Sequence, residues 1–354
     1  RVRVYFASWT LAPPPDGPST VVMEWLLLQP SVPQAAALLN CRLESPASRP
    51  RPAAPEPAAS VGGIALLLEA SDSTGPGAEG VRAALALVKR LARSASPPPL
   101  LLLTRGAQVA APLCAAAPAC GAANGGAWGF GRVVRLEHAS LRGQSADVPL
   151  SASGAAVAGA FACAGSAASG AEAEAVWRAS ARHSARLRAC VEAQGSARRE
   201  VARGSYVIMG GLGGLGLRAA ELLVGASVRE VALGSRGGRV ARDDHRLEGT
   251  LLALSRSVTV RTAVVNVADP WAAFRLCSGV GPELSGVLHA AGVLRDRLLR
   301  SMASSDLSAV FAPKSCAASH VAHSTPHTPL RAVLLFSSIS AALGSVGQAN
   351  YSAA

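Results

Sequence analysis

Ser205-Tyr206-Val207-Ile208-Met209-Gly210-Gly211-Leu212-Gly213-Gly214-Leu215-Gly216-Leu217 is the stretch that decides the fold. Its apolar opening predicts a buried strand over 205–209, its glycines a turn, and the run from Leu217 to Leu223 a helix. Gly211-x-Gly213-x-x-Gly216 between a strand and a helix brings backbone N–H groups and a helix N-terminus to one place, which suits a pyrophosphate. In a chain with 35 glycines the spacing alone also fits a plain Gly-rich turn, so its surroundings carry the reading.

Downstream, strands alternate with helices. Glu230–Leu233, Val258–Val265, Leu284–His289 and Leu330–Ser337 read as strands, and Pro270–Leu276 and Asp306–Val321 as helices. That alternation predicts an α/β fold, a Rossmann-type doubly wound parallel sheet with both faces covered. Upstream, Gly63–Leu68, Val81–Leu91 and Leu100–Thr104 form one strand–helix–strand unit, and a further helix is expected over Gly126–His138. Residues 44–60, rich in Pro, Ala and Ser, read as a loop or insertion. Two domains are expected: 1–200, a smaller, degenerate Rossmann-like structural part, and 201–354, the cofactor-binding part, incomplete at its C-terminus. The chain starts at Arg1 and stops at Ala354 inside what reads as a motif, so a fragment of a larger protein is expected.

Half of the 354 residues are apolar and the formal net charge is +12. Only Lys89 and Lys314 are lysines among 34 basic residues; the rest are arginine. The arginines are scattered, without aromatic interleaving, which argues against nucleic acid. A diffuse positive field suits dinucleotide phosphates and an acidic protein partner. The seven cysteines form no zinc-type pair, so reduced, mostly buried thiols and no metal are expected. With no secretory signal and no long uncharged apolar run, a soluble cytoplasmic protein is expected.

Lys314, Ser338 and Tyr351 fall in order at the ends of successive strand–helix units, and tyrosine occurs only three times. A hydride arriving at a ketone carbon creates an alkoxide, so the reaction needs an acid and a donor aimed at the developing charge. A phenol, with a pKa of about 10, is a poor acid at neutral pH unless an ammonium stabilises its anion. A compact ammonium fits beside a phenol and ribose hydroxyls where a broad guanidinium does not. Arg236, beside Ser235 just past the second strand, suits a 2′-phosphate and hence NADPH rather than NADH. Asn266, followed by Val267, stands where an amide would recognise the adenine edge. Taken singly, each of these residues also has an ordinary structural account.

The C-terminal stretch Phe336-Ser337-Ser338 then Gly347-Gln348-Ala349-Asn350-Tyr351-Ser352-Ala353-Ala354 resembles the ketoreductase domain of modular polyketide and fatty acid synthases, in the short-chain dehydrogenase/reductase superfamily. His289-Ala290-Ala291-Gly292-Val293 and Ala312-Pro313-Lys314 match too, and Ala127-Trp128-Gly129-Phe130-Gly131-Arg132 with Glu137-His138 resembles the structural half that precedes the catalytic half. The likeness covers nearly the whole chain. It implies that Tyr351 donates the proton, Ser338 hydrogen-bonds the substrate carbonyl and Lys314 orients the nicotinamide ribose. It also implies NADPH held by Gly210, Gly211, Leu212, Gly213, Gly214, Leu215, Gly216, Ser235, Arg236, Asn266, Val267, His289, Ala290, Ala291, Gly292, Lys314 and Tyr351. For His289 a structural place at a strand end is the other account. The implied partners are an acyl carrier protein bearing a phosphopantetheine-linked β-ketoacyl chain and the other domains of one synthase.

Leu294-Arg295-Asp296 resembles the Leu-Asp-Asp signature of B-type ketoreductases with its middle residue changed, and position 343 is leucine where the opposite class has tryptophan. Stereocontrol by Asp296 and a D-configured alcohol are therefore expected, a helix cap being the alternative for Asp296. Arg295, Arg297 and Arg300 read as solvated surface or as contacts for the acidic carrier. Met209 and Asn266 depart from the usual threonine and acidic residue, which implies weaker cofactor binding. Two competing readings are a stand-alone short-chain alcohol dehydrogenase and a non-catalytic dinucleotide-binding scaffold.

Overall fold

The structure, a computed structural model, describes residues 5–11, 25–28, 62–68, 78–108, 124–149, 172–178, 181–189, 203–240, 246–325 and 328–354, with a few positions between 157 and 164. The insertion expected at 44–60 lies outside the described residues. The chain forms two compact units. One comprises Arg1–Glu192 with Asp296–Ser304 and Ile339–Ala353; the other comprises Ala193–Arg295, Ser305–Ser338 and Ala354.

The first unit holds a seven-stranded sheet built from β1 (Tyr5–Leu11), β2 (Trp25–Leu28), β3 (Gly63–Leu68), β4 (Leu100–Arg105), β5 (Gln144–Val148), β6 (Glu174–Arg178) and β7 (Ala181–Ala189). Strands β2 to β6 run parallel in the order β6-β5-β4-β3-β2, and β7 and β1 extend the sheet antiparallel. Every residue of β3 is buried, as is all of β4 but its last, which is why both strands read as unbroken apolar runs: a parallel sheet is covered on both faces. Helix α1 (Glu79–Leu91) buries Val81, Ala84, Leu85 and Val88, the stripe expected at helical spacing. Helix α2 (Gly126–Glu137) buries Trp128 and Phe130. The Trp128 indole N–H donates to Thr104 Oγ1 at 3.1 Å, and that hydroxyl donates to the Asp147 carboxylate at 2.7 Å. Burial pushes the Asp147 carboxyl above its usual range, against these bonds and the nearby Arg178. Among the described residues the first sheet has seven strands and the second five.

Among the described residues the second unit pairs its strands in parallel, in the order β10-β9-β8-β11-β12. Here β8 is Ser205–Met209, β9 Glu230–Ser235, β10 Thr259–Val264, β11 Leu284–His289 and β12 Ala332–Leu335. The chain moves outward from β8 through β9 to β10, then returns to place β11 on the other side of β8. Strand β8 is buried throughout and its residues alternate between two cores. Tyr206 and Ile208 pack with Leu217, Leu223 and Leu233, whereas Val207 and Met209 pack with Ala273, Leu276 and Val321. Helices α3 (Gly214–Gly225), α4 (Leu247–Ser257), α5 (Pro270–Ser278), α6 (Ser304–Phe311) and α7 (Ala317–Ser324) follow in turn. The single helix expected over 306–321 is interrupted by a π-helical turn at Ala312–Cys316. Pro313 explains the change of winding, because it has no N–H to donate within the helix. Strand β12 is shorter than the run expected over 330–337. Two short helices, α8 (Ile339–Leu343) and α9 (Ala349–Ala353), close the described chain and belong to the first unit.

Cys277 and Cys316 are free thiols, and burial pushes Cys277 up to about 11, so it stays protonated; the other cysteines lie outside the described residues. Among the described residues no helix is long and apolar enough to cross a membrane. The core of the second unit yields a direct test. Leu233→Ala, at a side chain that is 0% exposed, is expected to cost about 2–5 kcal/mol of stability. Leu222→Ala, 78% exposed on α3, is expected to cost under about 0.5 kcal/mol, both read from urea unfolding followed by circular dichroism.

Candidate active site

The reversal of strand order between β8 and β11 leaves a crevice at the carboxyl ends of the strands, the usual ligand position in such sheets. A cleft of about 290 Å³ opens there, lined after β8 by Gly210, Leu212 and Gly213 and after β9 by Ser235 and Arg236. Asn266 and Val267 line it after β10, and Ala290, Ala291 and Gly292 after β11.

The glycine turn has the geometry its sequence implies. Gly210 has φ +77°, and a Cβ there would stand 2.7 Å from the backbone of Ala291. A Cβ on Gly216 would stand 2.4 Å from the Gly210 carbonyl oxygen. Helix α3 therefore starts hard against the turn, with Gly213 as its N-cap and no side-chain cap. Its first N–H groups have no intrahelical acceptors and point to the end that the cleft occupies, a site suited to phosphate oxygens. Gly214 has open space where its Cβ would be, and Gly211, Leu215 and Gly216 shape the turn without lining the cleft.

On the β9 side, Ser235 Oγ accepts the Gly238 N–H at 3.0 Å and so shapes the loop that carries Arg236. Arg239 lines the cleft as well, a second cation that sequence reasoning placed among the scattered arginines. Its position three residues after Arg236 in the same strand-end loop was the available signal. Asn266 is exposed, and its Oδ1 accepts the Ala268 N–H at 3.3 Å. Met209 is fully buried in the apolar core below the turn, and its side chain does not line the cleft.

Beneath the cleft, Lys314 occupies the π-helical turn, one residue after Pro313, which lines the cleft. The lysine is 9% exposed, and burial pulls its pKa below the usual amine range. Its Nζ donates to the Phe336 carbonyl at 3.2 Å, tying the turn to the end of β12. His289 is buried rather than lining the cleft, and its Nε2–H donates to the Lys314 carbonyl at 2.9 Å. Burial holds His289 below its usual value, so it is neutral near pH 7. Thus β11, the π turn and the end of β12 are fastened at one point. Ser338, half-buried, follows β12 in this same unit. Tyr351 lies on α9, which belongs to the first unit, and its N–H is held by Asn350 Oδ1 at 2.8 Å. Asp296 is exposed and accepts from the Gln348 side-chain amide at 3.2 Å; α6 begins only at Ser304, so Asp296 caps no helix.

A five-stranded parallel sheet with its reversal beside β8, a glycine turn into α3 and a cleft across the strand ends define a Rossmann-type dinucleotide-binding fold. Residues 204–354 match the family model of the KR domain and belong to the ketoreductase family of polyketide synthases. Over 308 residues the chain is 32% identical to Polyketide synthase GfsA of Streptomyces halstedii, covering 83% of this chain and 4% of that protein. It is 38% identical over 151 residues to the Hybrid PKS-NRPS synthetase pyvA of Aspergillus violaceofuscus, covering 42% of this chain and 4% of that protein. Among solved structures, one described as A-type ketoreductases from a modular polyketide synthase superposes with a TM-score of 0.80 at 27% identity, covering 99% of this chain and 78% of that one. The chain therefore spans a small part of the curated relatives it matches.

The fastening at His289 gives a pH test. Because its folded pKa is depressed, the folded protein binds fewer protons than the unfolded chain between the two values. Stability is then full above about pH 6.5 and falls as pH drops through the lower folded value. His289→Gln keeps an N–H donor without a titrating ring. Urea midpoints measured from pH 7.5 downward are expected to fall less steeply for this variant than for the wild type.

Proposed function

We propose that this chain reduces the β-ketone of an acyl thioester carried on an acyl carrier protein, using NADPH, as part of a multidomain polyketide or fatty acid synthase in the cytoplasm. In this reading residues 1–200 serve a structural role and residues 201–354 the reduction. The observation that carries it is the buried ammonium of Lys314, held in a π turn directly behind the cleft. A lysine buried and anchored in that way supplies a fixed positive field, and it is one of only two lysines in the chain.

NADPH, when bound, supplies the hydride. The glycine turn and the uncapped start of α3 fit its pyrophosphate, and Arg236 with Arg239 suits the 2′-phosphate through charge-assisted hydrogen bonds. Ser338 donates to the ketone oxygen and so stabilises the negative charge that grows on it. Tyr351 gives that oxygen its proton, and the Lys314 ammonium favours the phenolate left behind. Asp296 and Leu343 favour the D-configured β-alcohol. The exposed Arg295, Arg297 and Arg300 suit the acidic surface of a carrier protein.

The test is consumption of NADPH with a β-ketoacyl thioester. Tyr351→Phe is expected to lower kcat by about 100-fold or more while NADPH still binds. Arg236→Ala is expected to weaken NADPH about 10- to 100-fold and leave NADH nearly unchanged, as loss of a charge-assisted bond predicts. NADPH binding without turnover by the wild type would favour the scaffold reading, and an L-alcohol would overturn the stereochemical assignment.

A further inference from the structure

Glu137 ends α2, the helix carrying Trp128, Gly129 and Phe130, a motif that the cofactor cleft leaves unused. Each oxygen of its carboxylate accepts one backbone N–H. Oε2 takes Leu299 at 2.7 Å and Oε1 takes Gly347 at 2.9 Å. These amides belong to two separate segments, Asp296–Ser304 and Ile339–Ala353, both within the unit built on the seven-stranded sheet. Bonds to an ionised acceptor are shorter and roughly twice as strong as neutral ones, so a single side chain sets the spacing of both segments.

Other contacts act on the same two segments. Arg132, also on α2, donates to the Ala341 carbonyl, and Lys89 on α1 donates to the Met302 carbonyl. A Cβ on Gly129 would stand 1.8 Å from the Ser352 carbonyl oxygen, so α9 rests directly on the backbone of α2. The segments also bond to each other, Arg297 N–H donating to the Gly347 carbonyl at 2.7 Å and Gln348 to Asp296 at 3.2 Å. On either side of Tyr351, Asn350 is 0% and Ser352 3% exposed, so both neighbours of the tyrosine are fixed by packing in this unit.

We infer that Glu137 is a positioning residue for the reduction: from a helix outside the cofactor-binding sheet, it fixes the backbone that aims Tyr351 together with the segment that presents Asp296. The inference rests on the reading of Tyr351 as proton donor. A residue that only stabilised the fold would change unfolding without a selective loss of turnover, whereas misaiming an acid costs kcat and spares cofactor binding.

The experiment uses the full-length protein. Glu137→Gln keeps the size of the side chain but sets an NH₂ donor against one of the two N–H groups. It is expected to lower kcat about 10- to 100-fold. The NADPH dissociation constant should stay within about twofold. Hydrogen exchange in peptides covering 296–304 and 345–352 is expected to speed up. Gly129→Ala moves α9 off α2 without touching the carboxylate and should give the same split, which keeps the test open if Glu137→Gln does not fold. A fully active Tyr351→Phe would overturn the reading of the tyrosine and this inference with it. An inactive Tyr351→Phe beside folded Glu137→Gln or Gly129→Ala variants of wild-type kcat would overturn this inference alone, as would a parallel loss of NADPH binding and turnover.

Discussion

Backbone has to meet backbone at the turn between β8 and α3, and no side chain fits there. With only 2.4 Å available between a Cβ on Gly216 and the Gly210 oxygen, α3 is able to start directly at the end of the strand. That closeness fixes the direction of α3 over the sheet and leaves its uncapped N-terminus at the mouth of the cleft. It also lets Gly210 meet the backbone of Ala291 across the strand-order reversal, so the two sides of the cleft are set by one contact. The apolar side chains of β8 then decide the rest, since residues alternating along one buried strand demand a core on each face.

The first unit depends instead on buried and partly buried carboxylates that are well supplied with donors. Asp147 is 0% exposed and accepts from Thr104, the Ala107 and Gln108 N–H groups and Arg178. Glu174 on β6 accepts from Arg132 and Arg135 of α2. Glu137 accepts two amides from far along the chain. Leaving Asp147 without its partners would strand a buried polar group, which makes its network a constraint on geometry more than a gain in stability. This accounts for the motif in α2: Trp128 reaches the Asp147 network through Thr104, Gly129 lets α9 approach, Arg132 bridges Glu174 to Ala341, and Glu137 holds the two segments.

Most of the second unit was legible because its strands are buried and its glycines are placed by sterics. The bounds of β8 and β11 agree with the apolar runs that predicted them. Helix α4 left no such trace, for it follows Arg246 in a left-handed conformation without a capping side chain and buries only Leu247 and Leu254. Strand β5, Gln144–Val148, escaped notice because its buried residues include Ser145 and Asp147, whose burial is satisfied by bonds made far along the chain. Strand β7, ARHSARLRA, is polar at alternate and adjacent positions alike, and it is defined by pairing with β6 and β1 rather than by a core face. Gly210, Ser235, Asn266 and Ala290 line the cleft because the strand ends place them there. Glu137 was only part of a resemblance, since nothing local in a sequence marks a carboxylate whose donors arrive from distant segments.

Arginine and lysine meet different demands at two sites of this fold. At Arg132, Nε and one terminal nitrogen each donate to Glu174 at 2.7 Å while the other terminal nitrogen reaches the Ala341 carbonyl. A lysine there has one nitrogen at the end of its stem and cannot span a carboxylate and a distant carbonyl with fixed geometry. Lys314 meets the opposite demand. Its site lies inside a π turn, bounded by the His289 bond to its own carbonyl and by the end of β12, where its Nζ donates to the Phe336 carbonyl. A guanidinium is broader and carries five donors in a fixed fork, so it asks for more room and more acceptors than a compact ammonium does. At these two sites arginine stands where two acceptors are bridged, and lysine where a compact charge is held at one point.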